Sequence, residues 1–179
     1  MTLADRLYLT KKQRRQLLKW SLYALILLVL SVTQDVWMSR MRLFGATTEL
    51  VPVGIFLICL LEGLETGSVF ALIASCLYQF SGTPGGTYSI VFITGLCILV
   101  TLLRQAYLQS GFGSAMLLTV LAMFLYELLA FGFGVFLEKT TIARLGGFLV
   151  TASLSLAVAP VLYPIALAVG KIGGEVWKE

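Results

Sequence analysis

The sequence predicts an all-α integral membrane protein, a six-helix transmembrane bundle. Three observations predict it. Of the 179 residues, 59% are hydrophobic and only 12% charged, and the mean hydropathy is +0.94. The apolar runs exceed what the core of a soluble domain of this length uses. Basic residues gather at one end: Arg6, Lys11, Lys12, Arg14, Arg15 and Lys19 precede the first long apolar run, against Asp5 as the sole acid. At about 20 residues per span, the length beyond that head holds about six short-looped spans and leaves no room for a sizeable soluble domain. The expected organisation is a cytoplasmic basic segment over 1–19, a six-span domain over 20–170 and a cytoplasmic tail over 171–179.

The first span is expected from Leu17 to Trp37. A basic head before an apolar run also describes a signal peptide. Ser31-Val32-Thr33 is a poor cleavage site, so the segment reads as an uncleaved span. Trp20 and Trp37 lie about 26 Å apart on a helix, which suits anchors at both interfaces. Asp35 to Glu49, with Arg40 and Arg42, reads as an amphipathic outer link. The second span covers Leu50 to Leu61, with Pro52 in its first turn, where a missing N–H costs little.

The stretch from Glu62 to Gly82 is expected to be the helix that the others pack against. Small residues recur four apart at Gly63, Gly67, Ala71 and Ser75, which lets helix backbones approach closely where lipid supplies no hydrophobic drive. These four are the candidate helix-packing or partner interface. The turn at Glu62-Gly63-Leu64-Glu65-Thr66 fits a helical hairpin or a bent re-entrant helix. Thr66 or Ser68 is expected to cap the new helix, with Glu62 and Glu65 at its positive end. The alternative is that the two acids dock a basic partner.

Ser81 to Thr87 is a turn-rich, uncharged outer loop. The fourth span is expected over Thr87 to Tyr107, with Arg104 at its inner end, and the fifth over Ala115 to Leu137. Glu138, Lys139 and Arg144 fall in an outer loop. The sixth span runs from Gly146 to Gly170 and should bend, because Pro160 and Pro164 each remove an i→i−4 hydrogen bond. The excess of Lys and Arg on one side places both termini in the cytoplasm. An anionic leaflet also attracts the basic head, so membrane lipid is an expected partner and nucleic acid is not.

Glu127 is the one acid well inside a span. An intramembrane carboxylate is costly unless paired or protonated, so Glu127 is expected to be protonated within a polar cluster. The candidates for that cluster are Tyr78, Gln79, Ser153 and Ser155, with Ser31 and Gln34 at similar depth on the first span. A structural tie between helices is the plain reading, a ligand pocket the sharper one. There are no histidines, and Cys59, Cys76 and Cys97 all lie in apolar runs, far from zinc-ligand spacing. No catalytic constellation, metal site or cofactor site is visible: a nucleophile elbow and a Walker loop are both missing, and the chain reads as a non-enzyme.

Several stretches resemble the rod shape-determining protein MreD family, over most of the chain after residue 20. MRLFGATTELVP is similar to the family's segment after its first span. GLETGSVFALIASCLYQFSG is similar to its third span, with glycines four apart followed by an acid. Gly67 holds a glycine place, Ala71 and Ser75 stand where glycines are usual, and Gln79 stands where aspartate is usual. AVAPVLYPIA resembles the last span. The resemblance implies a non-enzymatic, six-span scaffold of the bacterial plasma membrane that needs no cofactor. It implies pairing with an MreC-like single-span protein. MreB and the cell-wall synthases of the elongation machinery would be indirect partners in peptidoglycan synthesis and cell shape. The family's fold is similar to that of the substrate-binding components of energy-coupling-factor vitamin transporters, which supplies the alternative function. Such components often carry small residues four apart on the first span, whereas SLYALILLVLSV has Ala24 but no second alanine four away.

Overall fold

The computed structural model describes residues 11–38, 48–80, 87–107 and 111–172. Most of the basic head, Arg40 and Arg42, nearly all of the 81–87 loop and most of the tail lie outside them. The described residues form seven α-helices: α1 (Lys11–Thr33), α2 (Leu50–Glu62), α3 (Leu64–Phe80), α4 (Tyr88–Tyr107), α5 (Phe112–Phe136), α6 (Leu145–Leu156) and α7 (Ala159–Ile172). A π-helical turn, Gln34–Met38, prolongs α1, and a short 3-10 turn, Ile142–Arg144, leads into α6.

The helices run to and fro along one axis. Lys19 of α1 meets Glu62 at the end of α2, and Gln34 meets the first amides of α2. Tyr78, near the end of α3, returns to Glu49, just before α2. Ser89 opens α4 against Gln79, and Arg104 closes it against Leu60. In α5, Phe112 meets Tyr163 of α7 edge to face and Phe133 lies tilted against Tyr88 of α4. Ser155 of α6 lies at the Glu49 end, and Ala166 of α7 at the Lys19 end.

Three described stretches are long and apolar enough to cross a membrane: Lys12–Val36, Tyr88–Ala106 and Phe112–Phe136. α6 and α7 make a fourth if taken together, as a span bent by 46°. The bend falls just before Pro160, and Pro164 sits inside α7. α2 and α3 have 13 and 17 residues. At 1.5 Å per residue α2 is about 20 Å long, against a hydrocarbon core of about 30 Å. A count of six spans therefore rests on these two helices as well.

The centre of the bundle is α2, not the 62–82 helix that the small-residue spacing pointed to. Every residue from Leu50 to Leu61 is buried. Its sequence, LVPVGIFLICLLE, is apolar on all sides, and such a helix is stable only when enclosed. α1, α3, α4, α5, α6 and α7 all pack on it. α3 is peripheral. Its inner face, Gly67, Ala71, Ala74, Ser75 and Tyr78, is buried, while Val69, Leu72, Ile73, Leu77 and Phe80 are exposed. Small residues let α3 lie close to α2, so they mark a helix that leans on the core rather than the core itself.

α2 and α3 form the expected hairpin. Gly63 turns the chain at φ 85°, a conformation that favours glycine. At Gly67 a Cβ would lie 2.7 Å from the Cys59 carbonyl oxygen, so only glycine fits that crossing. Ala71 and Ser75 continue the contact, and Ser75 hydroxyl meets Thr94 hydroxyl of α4 at 3.2 Å. Gly63 itself has no packing role, since a Cβ there would meet nothing. Thr66 and Ser68 do not cap α3. Their hydroxyls donate backwards, to the carbonyls of Glu62 and Glu65.

Candidate functional site

A helix buried at both ends needs partners for the amides and carbonyls that its own ladder leaves over. α2 takes them from its neighbours, and this requirement builds a polar cluster at each end.

At the first end, Gln34 acts as a cap supplied in trans. Its Oε1 accepts from Leu50 N at 2.7 Å and Val51 N at 3.2 Å. Pro52 follows and has no N–H to satisfy. Gln34 Nε2 donates to Tyr78 hydroxyl at 3.2 Å, and Tyr78 donates to Glu49 Oε2 at 3.2 Å. Glu49 N donates to Ser155 Oγ at 2.8 Å, and Ser155 donates to Thr151 O at 2.7 Å. The Tyr126 side chain also faces the Glu49 carboxyl. Glu127 lies beside this group, 3% exposed, near enough to feel the charge of Glu49. Glu127 Oε1 and Thr48 Oγ1 are buried without a hydrogen-bond partner.

The cluster brings together Tyr78, Glu127 and Ser155 of the sequence candidates, and Gln34 with them. It does not include Gln79, Ser153 or Ser31, whose hydroxyl donates to Asp35 at 3.5 Å. Gln79 turns to α4, where its Oε1 accepts from Ser89 at 2.9 Å. Ser153 is exposed and bonds back to Leu149 O. Adjacent residues on a helix point about 100° apart, and here Tyr78 turns to Glu49 while Gln79 turns to α4. Glu49, Thr48 and Tyr126 are the members that sequence reasoning missed. Glu49 looked like an outer-link residue because it precedes the apolar run; its place one residue before a buried helix start was the available signal.

At the second end lies an ion pair. Lys19 Nζ approaches Glu62 Oε2 at 2.5 Å, with the two side chains 7% and 5% exposed. Tyr23 hydroxyl lies 2.7 Å from Glu62 Oε1 and 3.3 Å from Ala166 O. Arg104 donates to Leu60 O, placing a cation at the negative end of α2. Glu62 thus closes α2 rather than opening α3, and of the two acids it is Glu65 that stands in the first turn of α3, exposed. Lys19 belongs to the bundle rather than to a free basic head.

Between α1 and α3 runs an apolar groove of about 850 Å³. Leu28, Val32, Ile73 and Leu77 form its walls, and Val51 and Ala74 its floor. Trp20, Tyr23 and Phe70 stack across its Lys19 end, with ring centroids 5.6–6.0 Å apart. Tyr78 lines the other end.

Among the described residues no three acidic, histidine or cysteine side chains gather as for a metal ion. Cys59 and Cys97 are buried free thiols, and Cys76 is half-buried. Set against family models, curated proteins and solved structures, the chain matches none of them. Its own geometry must therefore carry the functional reading.

Proposed function

We propose that this protein is a non-enzymatic scaffold of the bacterial cell-elongation machinery, in the manner of the MreD family it resembles. It would lie in the plasma membrane as six spans, counting α2, α3 and the α6–α7 pair, with both termini in the cytoplasm. The alternation of the helices along one axis supports that count. Its role would be to hold an MreC-like single-span protein and, through it, to support lateral cell-wall synthesis and rod shape.

The observation that carries this reading is the α1–α3 groove. It is mostly apolar, with Glu65 and Thr66 at one end and Ser31 and Tyr78 toward the other, it lies on the outside of the bundle, and a helix is about 10 Å across, the width that two flanking helices can cradle. The small residues of α3 are spent inside the bundle, so the partner face moves to the groove walls. Lipid offers no hydrophobic drive for helix pairing, so shape fit in such a groove is the main source of affinity.

Co-purification with an MreC-like protein tests it. Ala24→Trp fills the groove from α1, and Val91→Trp places the same bulk on an exposed face of α4. Loss of the complex and of rod shape with the first alone supports the reading. A complex indifferent to Ala24→Trp removes the groove from it. Saturable thermal stabilisation of the purified protein by one vitamin would instead favour a transport component.

A further inference from the structure

The two ends of α2 mark two polar levels, and hydrogen bonds tie the neighbouring helices to each. At one level Lys19 of α1 meets Glu62, Arg104 of α4 donates to Leu60 O, and Glu65 stands in the first turn of α3. At the other, Gln34 of α1 caps α2, Tyr78 of α3 donates to Glu49, and Ser89 of α4 donates to Gln79. The distance between the levels can be counted along four helices. At 1.5 Å per residue, Lys19 to Gln34 is about 22 Å, Glu49 to Glu62 about 20 Å, Glu65 to Tyr78 about 20 Å and Ser89 to Arg104 about 22 Å. All four fall short of a hydrocarbon core of about 30 Å.

What lipid meets is the outer surface, and there α3 is the short wall. Its exposed apolar residues, from Val69 through Leu72, Ile73 and Leu77 to Phe80, cover about 17 Å of its axis. Before them stand Glu65 and Thr66, both exposed, and the half-buried Ser68. After them the sequence runs Ser81-Gly82-Thr83-Pro84-Gly85-Gly86, which offers acyl chains little apolar surface. The walls elsewhere are longer. Exposed apolar residues run from Leu17 to Val36 on α1, about 28 Å, and from Phe112 to Phe136 on α5, about 36 Å. Sinking α3 further would draw the Glu65 carboxylate among acyl chains, at a cost of a few kcal/mol. A bilayer that meets a short apolar wall thins instead, and the cost grows with each ångström of mismatch. We propose that the α3 face is matched to a thin bilayer, and that the free protein gathers phospholipids of short acyl chain there. Ile73 and Leu77 also wall the α1–α3 groove, so these lipids fill it whenever no partner helix does. The proposal rests on the reading of α3 as a span, and not on the identity of any partner.

The test uses the full chain reconstituted in vesicles of dimyristoleoyl-, dioleoyl- or dierucoyl-phosphatidylcholine, in order of rising chain length. Thermal unfolding is followed by tryptophan fluorescence. The midpoint should be highest in the shortest lipid and fall by about 3–6 °C from there to dioleoyl lipid. Glu65→Leu with Ser68→Leu extends the apolar wall back to Leu64, by about 7 Å, and should at least halve that fall. Lys139→Leu, on an exposed residue beyond α5, should leave it unchanged. Since the double variant can fail to fold, the second measurement is made on the unaltered protein. Polymer-bounded discs are cut without detergent from vesicles of equal dimyristoleoyl and dierucoyl lipid, and the retained lipid is counted by mass spectrometry. Short-chain lipid at about twice the long-chain amount is the expected result. Equal midpoints, midpoints that rise with chain length, lipid retained in the ratio of the mixture, or an undiminished fall in the folded double variant overturns the proposal. Release of the protein from membranes by alkaline carbonate is a different failure, because it removes the spans themselves.

Discussion

Two glycine-to-alanine changes should move stability in opposite directions. Gly67 lies where α3 crosses α2. An added methyl would sit 2.7 Å from Cys59 O, 3.1 Å from Cys59 Cα and 3.0 Å from its sulfur, where ordinary contact begins at 3.4 Å. Two of those atoms are backbone and cannot rotate away, so α3 must lift from α2. Overpacking of this kind costs about 1–3 kcal/mol. Alanine's better helix propensity returns up to about 1 kcal/mol. The net expectation for Gly67→Ala is a loss of about 1–2 kcal/mol, or roughly 2–8 °C in midpoint for a chain of this size. Gly95 is exposed on α4, and a Cβ there meets nothing within 4 Å. Gly95→Ala should keep the propensity gain alone and raise the midpoint by about 2–3 °C. Thermal unfolding of both variants in one detergent reads the difference. Equal stability of the two would refute the close α2–α3 crossing and the argument built on it.

Gln34→Leu removes both caps from the start of α2 and leaves two buried amides unpaired; a loss of about 2–4 kcal/mol is expected, with faster hydrogen exchange at Leu50 and Val51. Lys19→Met should cost about 3–5 kcal/mol by stranding Glu62, and adding Glu62→Gln should recover much of it, so the double-mutant cycle gives a large coupling energy; additive losses would show the pair to be unimportant. Arg104→Met withdraws the cation at the other end of α2 and should cost about 1–2 kcal/mol, with Arg104→Lys between it and the unaltered protein in the same unfolding assay.

Much of the helical layout could be read from hydropathy. The expected second span, Leu50 to Leu61, differs from α2 by one residue, and Arg104 and the proline bend fall near where their chemistry places them. The polar cluster was legible in part. Glu127 and Tyr78 stood out because a charge or a phenol inside an apolar run has few places to go. Glu49 did not, since a carboxylate at the edge of a run ordinarily faces water. Gln79 and Ser153 were misplaced because depth along a helix can be counted from sequence, whereas the direction in which a side chain points depends on which face meets the neighbours.

Apolar composition and the spacing of its interruptions determined an all-helical chain with several helices long and apolar enough to cross a membrane, where a backbone must be satisfied within each helix. Those are local demands, and a linear pattern records them. Which helix the others enclose was settled only in three dimensions. In lipid every face of a span can be apolar, so hydropathy does not distinguish a face turned to lipid from one turned to another helix. Only the packed bundle showed that α2 is sealed on all sides, and so why its two ends collect Gln34, Glu49, Lys19 and Arg104 from distant parts of the chain.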